Sequence, residues 1–282
     1  MAKGRDKTKI WDEDEEDYTE VYGDDDDHDG GKSHKDDREH KHSNGRDKGA
    51  NINWEKWAHD WVETDELNII LGTRKKDTLE GTDEADGIYG SNGHDTIHGF
   101  GGEDVLLGGN GHDEISGGGG RDVLQGGNGK DDLSGGFGAD LLKGGNGKDE
   151  LRGDDGNDVL RGGKGKDLLI GGQGDDTRHG GKGKDDLRGG AGTDTVSFKN
   201  AKSGITVDLE DASENKGAAK KDSYDSIEGV IGTNYDDTLR GDDADNILKG
   251  CDGDDMLQGR DGEDTLEGGD GNDTLKGGQG MD

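Results

Sequence analysis

The sequence predicts an all-β solenoid of stacked nine-residue units, carried behind a disordered acidic N-terminal tail. Three observations point there. Glycine recurs at every ninth position over long stretches, an aspartate follows five residues after nearly every such glycine, and a large aliphatic residue stands two places further on. Only 24% of the 282 residues are hydrophobic and 4% aromatic, too little for an ordinary globular core, so a repeated unit with one inward residue has to carry the fold. The 59 glycines come with no proline and with a period of nine rather than three, which excludes collagen.

Residues 1–51 form a charge-blocked segment with runs such as DEDEED and DDDDHD and too few apolar groups to offset the entropy of ordering it. It is predicted to be disordered. Its histidines His28, His34, His40 and His42 lie among carboxylates and could hold a transition metal loosely, but a solvated tail is the reading that this composition favours. Residues 52–71 place Trp54, Trp57, Trp61 and Val62 at helical spacing ahead of a strand-like NIIL. Such a tryptophan stripe suits a cap over the open end of a solenoid, and its other reading is a docking surface for an envelope or polysaccharide partner.

From 72 to 197 the chain divides without gap into fourteen units of nine residues, beginning GTRKKDTLE, GTDEADGIY and GSNGHDTIH. Position 1 is always glycine and position 6 always aspartate, from Asp77 to Asp194. Position 8 is Leu, Ile or Val in every unit but one, where Arg178 stands, and a charge on the thin core predicts a local weak point unless the side chain snorkels out. Completing the aliphatic row with Arg178→Leu is therefore expected to stabilise the fold. Lys75 and Glu84 replace the glycine of position 4, which predicts that the first two units are poor binding sites and serve as a strand lead-in.

Residues 198–231 break the period. Ile205, Val207 and Leu209 alternate there as in a half-buried strand, and a mobile charged loop is expected from about Glu210 to Tyr224. The period resumes over 232–282 as five units and a partial one, GGQGMD, an ending that reads as truncated; in the unit at Gly241 the acid shifts to Asp245 and Asn246 takes position 6.

Units such as GGNGKDDLS at Gly126 resemble the RTX, or haemolysin-type, calcium-binding repeat GGxGxDxUx, in which U is a large aliphatic residue. The resemblance implies a parallel β-roll, a right-handed β-helix solenoid in which a six-residue turn and a three-residue strand make half a coil, so that calcium lies between turn n and turn n+2. Asp131 would then face an ion shared with the turn of Asp149. The physics of the unit agrees: its glycines permit tight turns that bring carbonyl oxygens together, the aspartate adds a hard anionic oxygen, and two stacked turns supply the six to eight oxygens calcium prefers. One leucine per nine residues buries too little apolar surface to order nine backbones, so the ion is expected to be required for folding.

Carried over residue by residue, the ligand carboxylates are Asp95, Asp104, Asp113, Asp122, Asp131, Asp140, Asp149, Asp158, Asp167, Asp176, Asp185, Asp194, Asp237, Asp255, Asp264 and Asp273. The ligand carbonyls are those of Gly108, Gly111, Gly117, Gly120, Gly126, Gly129, Gly135, Gly138, Gly144, Gly162 and Gly165. At most about sixteen ions could be held between alternate units, enough to offset most of the formal net charge of −34. That charge argues against nucleic acid as a partner and for cations.

No apolar stretch is long enough to span a bilayer, and the opening MAKGRDKTKIWDEDEEDYTE lacks the apolar run of a secretory signal. Cys251 is the only cysteine, so no intramolecular disulfide forms. The resemblance implies export through a type I secretion channel and folding in the higher calcium outside a bacterial cell. No HExxH, GxSxG or Cys/His arrangement occurs, so a non-enzymatic, calcium-binding secreted protein is expected. Two further readings stand beside it: a cell-surface or matrix protein using the roll as scaffold, and the C-terminal fragment of a larger secreted RTX enzyme or toxin.

Overall fold

A computed structural model describes residues 67–280. The tail and the expected helix around Trp54, Trp57 and Trp61 lie outside them, whereas the NIIL segment is the strand Asn68–Leu71, as predicted. Among the described residues the strands form three parallel sheets of eleven, eight and four strands. Successive strands of the regular region alternate between the first two. Val105–Gly111, Val123–Gly129, Leu141–Gly147 and Val159–Gly165 lie side by side in the eleven-stranded sheet, and Glu114–Gly119, Asp132–Phe137 and Glu150–Asp155 in the eight-stranded one. Leu124 pairs with Leu142 and Leu142 with Leu160, an eighteen-residue offset. Two nine-residue units therefore make one coil, and the fold is a parallel β-solenoid.

The residue at position 8 explains why the stack holds register. Ile97, Leu106, Ile115, Leu124, Leu133, Leu142, Leu151, Leu160 and Leu169 are buried and belong to one continuous apolar column. A slip of one residue would turn that column outward on every strand at once. Glycine is required where coils touch. At position 4, a Cβ on Gly129, whose φ is +149°, would stand 1.4 Å from the Gly111 carbonyl oxygen of the coil before it.

The interruption is folded more fully than its composition suggests. Val207 is buried on the short strand Thr206–Asp208, which starts the four-stranded sheet, and Ile205 is buried just before it. The expected mobile loop from Glu210 is instead two short 3₁₀ turns, Ala212–Glu214 and Gly217–Ala219, with Ala219 fully buried, followed by the strand Ser223–Asp225, which closes the eight-stranded sheet. Asp208 fastens this segment to the later coils by accepting two bonds from Arg260 at 2.8 and 2.9 Å. Meanwhile the eleven-stranded sheet runs straight through, from Thr195–Ser197 to Gly229–Ile231 to Ile247–Asp252. Among the described residues no helix is long and apolar enough to cross a membrane.

Candidate metal centre

The aspartate of position 6 ends each turn, just before its strand, and reaches back to the coil before it. The N–H of Asp113 donates to Asp131 Oδ1 at 2.9 Å, that of Asp131 to Asp149 Oδ1 at 3.0 Å, and that of Asp149 to Asp167 Oδ1 at 2.9 Å. In the other sheet Asp104, Asp122 and Asp140 donate in the same way to Asp122, Asp140 and Asp158. One oxygen of each carboxylate is thus used to join coils.

The second oxygen is different. Oδ2 of Asp95, Asp104, Asp113, Asp122, Asp131, Asp140, Asp149, Asp158, Asp167, Asp185, Asp194 and Asp255 is buried and accepts a hydrogen bond from no protein group. A row of buried unpartnered anionic oxygens is costly unless a cation or a proton meets them. Burial accordingly pushes Asp104, Asp122, Asp131, Asp140 and Asp167 up to about 7, against the bonds donated by the backbone, with neighbouring carboxylates adding to the rise.

Backbone oxygens face the same gaps. Between the turns of Asp95 and Asp113, the lower turn offers Asp95 Oδ2, which lies 2.6 Å from where a Cβ on Gly90 would stand, and the upper turn offers the Gly108 carbonyl at 2.7 Å from the same point. On the other side of that gap, the Cβ position of Gly111 lies 1.5 Å from the Gly93 carbonyl oxygen and 3.0 Å from Asp113 Oδ1. The carbonyls of Gly117, Gly126, Gly135 and Gly162 repeat the first arrangement, and those of Gly111, Gly129 and Gly165 the second, whereas the carbonyls of Gly120 and Gly138 approach Gly138 and Gly156 with no aspartate Oδ1 among the nearest atoms. The carbonyl of Gly144 is not among the nearest atoms at the corresponding point, Gly126. Among the described residues no three His, Cys, Asp or Glu side chains form a metal cluster. A cation held here has to draw on main-chain oxygens from two coils, an all-oxygen donor set that fits a hard divalent ion of calcium's kind.

The turns come in two forms. In the regular form the residue at position 2 has a left-handed backbone, such as Gly127 at φ +107° or, at greater strain, Phe100 at +77°. In the other form position 2 is threonine, or Asp242 in one unit, and its N–H donates to the position-6 side chain of its own turn, as Asp242 does to Asn246 Oδ1 at 2.8 Å. Thr82 N–H and Oγ1 donate to Asp86 Oδ2 at 2.6 and 3.1 Å, and Thr73 does the same for Asp77. Thr233 N–H likewise donates to Asp237 Oδ2 at 2.6 Å, with Asp237 Oδ1 accepting from Ile205 N–H. Asp237 therefore differs from most of the other predicted carboxylates in having both oxygens engaged. Asp264 accepts from Asn246 N–H at 2.9 Å, and Asp273, half-buried, from Asp255 N–H at 3.0 Å.

Arg178 meets the expected charge on the core with buried acidic partners. Its side chain is fully buried and does not snorkel; Nη2 donates to Asp194 Oδ1 at 2.8 Å and to Asp176 Oδ2 at 3.3 Å. Two acidic groups escaped the reading of the repeats. Asp222 accepts from Asp185 N–H, and Glu228 from Asp194 N–H, so each stands one coil beyond the last regular unit and continues its column. The signal was an acid two residues before an inward side chain, Tyr224 in one case and Val230 in the other.

A parallel solenoid in which buried carboxylate and carbonyl oxygens meet between turns one coil apart has the architecture of a β-roll. The family of RTX calcium-binding nonapeptide repeats matches residues 68–97, 80–115, 107–142, 143–177, 179–197, 231–259 and 250–282, more than half of the chain. The chain belongs to that family. A search of curated proteins finds no match to it.

Proposed function

We propose that the chain is a calcium-dependent folding module of a secreted bacterial protein, in which each ion is held between turns one coil apart. The observation that carries this is the row of buried Oδ2 atoms with no protein donor. When bound, calcium supplies the positive charge that lets neighbouring carboxylates remain ionised inside the stack. The chain's own residues do the rest: Asp Oδ1 ties each coil to the one before, glycine carbonyls turn toward the gap, and the position-8 column sets the register.

The same dependence accounts for a role outside the cell. A chain that stays unfolded at low calcium can pass a type I secretion channel and fold where calcium is plentiful, with affinities of about 10⁻⁴ to 10⁻³ M suiting extracellular modules. Among the described residues the repeats present a lattice of carboxylate and carbonyl oxygens, chemistry suited to holding a cation. Equilibrium dialysis with calcium is the test: saturation at several ions per chain supports the proposal, and a non-saturating rise matched by magnesium refutes it, because magnesium gives up its water reluctantly.

A further inference from the structure

We propose that Arg178 is a resident cation that takes the place of one calcium ion, so that the coil contact between Asp176 and Asp194 closes without metal and orders ahead of its neighbours as calcium rises. The proposal rests on the calcium reading above and concerns one gap of the stack. In the regular gaps the carboxylate Oδ2 of one turn faces a glycine carbonyl of the next coil, as Asp95 Oδ2 and Gly108 do at Gly90. At the corresponding point beside Gly171, the nearest atoms are Arg178 Nη2 and Asp176 Oδ2, at 1.9 and 2.1 Å from the Cβ position. The guanidinium occupies the place where oxygens converge elsewhere.

Its partners confirm the substitution. Arg178 Nη2 bonds a carboxylate from each of the two coils that would share an ion, Asp176 and Asp194. From Asp95 to Asp194, Asp176 is the one position-6 aspartate whose Oδ2 is not left without a donor. Arginine suits this duty because its charge is permanent, and here one guanidinium nitrogen, Nη2, meets both carboxylates. The position also matters. Asp194 N–H donates onward to Glu228, and Thr195–Ser197 pairs with Gly229–Ile231, so the arginine sits where the regular block meets the interruption. A contact closed there without metal gives the two repeat blocks a shared starting point from which stacking can spread, since each coil of a solenoid is stabilised by its neighbours.

The test is a calcium count by equilibrium dialysis on the full native chain and on Arg178→Leu, joined to amide hydrogen exchange on the native chain at half-saturating calcium. Arg178→Leu is expected to bind one more calcium per chain and to need more calcium to fold. In the native chain, amides of Thr177–Gly183 and Thr195–Ser197 are expected to exchange roughly tenfold or more slowly than those of Val123–Gly129 and Leu141–Gly147, as the strength of a buried charge-assisted bond implies. An unchanged or smaller count in folded Arg178→Leu overturns the proposal. Should that variant not fold, equal or faster exchange around Arg178 in the native chain overturns it on its own. A native chain that binds no countable calcium refutes the calcium reading instead, which keeps the two failures apart.

Discussion

Replacing Asp149 by alanine in the middle of the regular block should be far more damaging than replacing Asp77 in the first unit. Asp149 Oδ1 accepts the buried N–H of Asp131, so alanine leaves that N–H unpaired, at a cost of about 1–3 kcal/mol. Its Oδ2, buried and without a protein donor, faces a calcium gap, and losing one ion at a free concentration of a hundred times its dissociation constant removes about 2.7 kcal/mol more. The total is about 4–6 kcal/mol for one contact. Among the described residues the Asp77 side chain bonds only Thr73 of its own exposed turn, where water replaces the lost partner, and its removal should cost less than about 1 kcal/mol. Urea unfolding at saturating calcium gives the stability difference, and isothermal titration gives the ions lost. Equal losses from the two variants would mean that calcium binds diffusely to an acidic chain and that the stacked-coil reasoning is wrong.

Three further outcomes follow from the same geometry. Leu151→Ala, at a fully buried position of the apolar column, should lower stability at saturating calcium by about 2–5 kcal/mol, while Leu275→Ala on the half-exposed last strand should do little; a comparable loss at both would contradict the continuous core. Gly129→Ala should disrupt folding because its Cβ meets the Gly111 carbonyl at 1.4 Å, whereas Gly119→Ala, with its nearest such atom at 3.9 Å, should be tolerated in the same melts; tolerance of both would refute the close stacking of coils. Burial holds the folded-state values of Asp104, Asp122, Asp131, Asp140 and Asp167 near 7, above their unfolded value of about 4. Between those values the ion-free fold binds more protons than the unfolded chain, so its stability is present at low pH and lost as pH rises through 7. Protons thus stand in part for calcium, so the calcium midpoint for folding should fall as pH falls from 7.5 to 6, and a midpoint independent of pH would count against buried carboxylates with raised folded-state values.

The strong repeats were legible because their determinants are local. A glycine, an aspartate and an aliphatic residue at fixed places in nine residues specify a turn and an inward strand, and strict recurrence then forces the eighteen-residue coil seen between Leu124 and Leu142. What escaped the sequence depends on partners a coil or more away. Arg178 read as a defect in an apolar row because its partner Asp194 lies sixteen residues on, and only stacking brings the two within 2.8 Å. Asp222 and Glu228 were hidden because their partners, Asp185 and Asp194, lie 37 and 34 residues before them, across an insertion that erases the period. The loop after Glu210 read as mobile from its charge, yet Arg260, 52 residues beyond Asp208, holds its start in place. Thr233 shows the finer limit: its difference from glycine at position 2 was visible, but its bond to Asp237 follows from the backbone form that threonine selects.

The central claim is that calcium and folding are one equilibrium, and circular dichroism of the whole chain tests it most directly. In excess chelator near pH 7.5 the account predicts the spectrum of a disordered chain, and on titration with calcium into the millimolar range a cooperative rise of strand signal, which magnesium at equal concentration reproduces only weakly. A strand-rich spectrum that is the same in chelator and in calcium would contradict it.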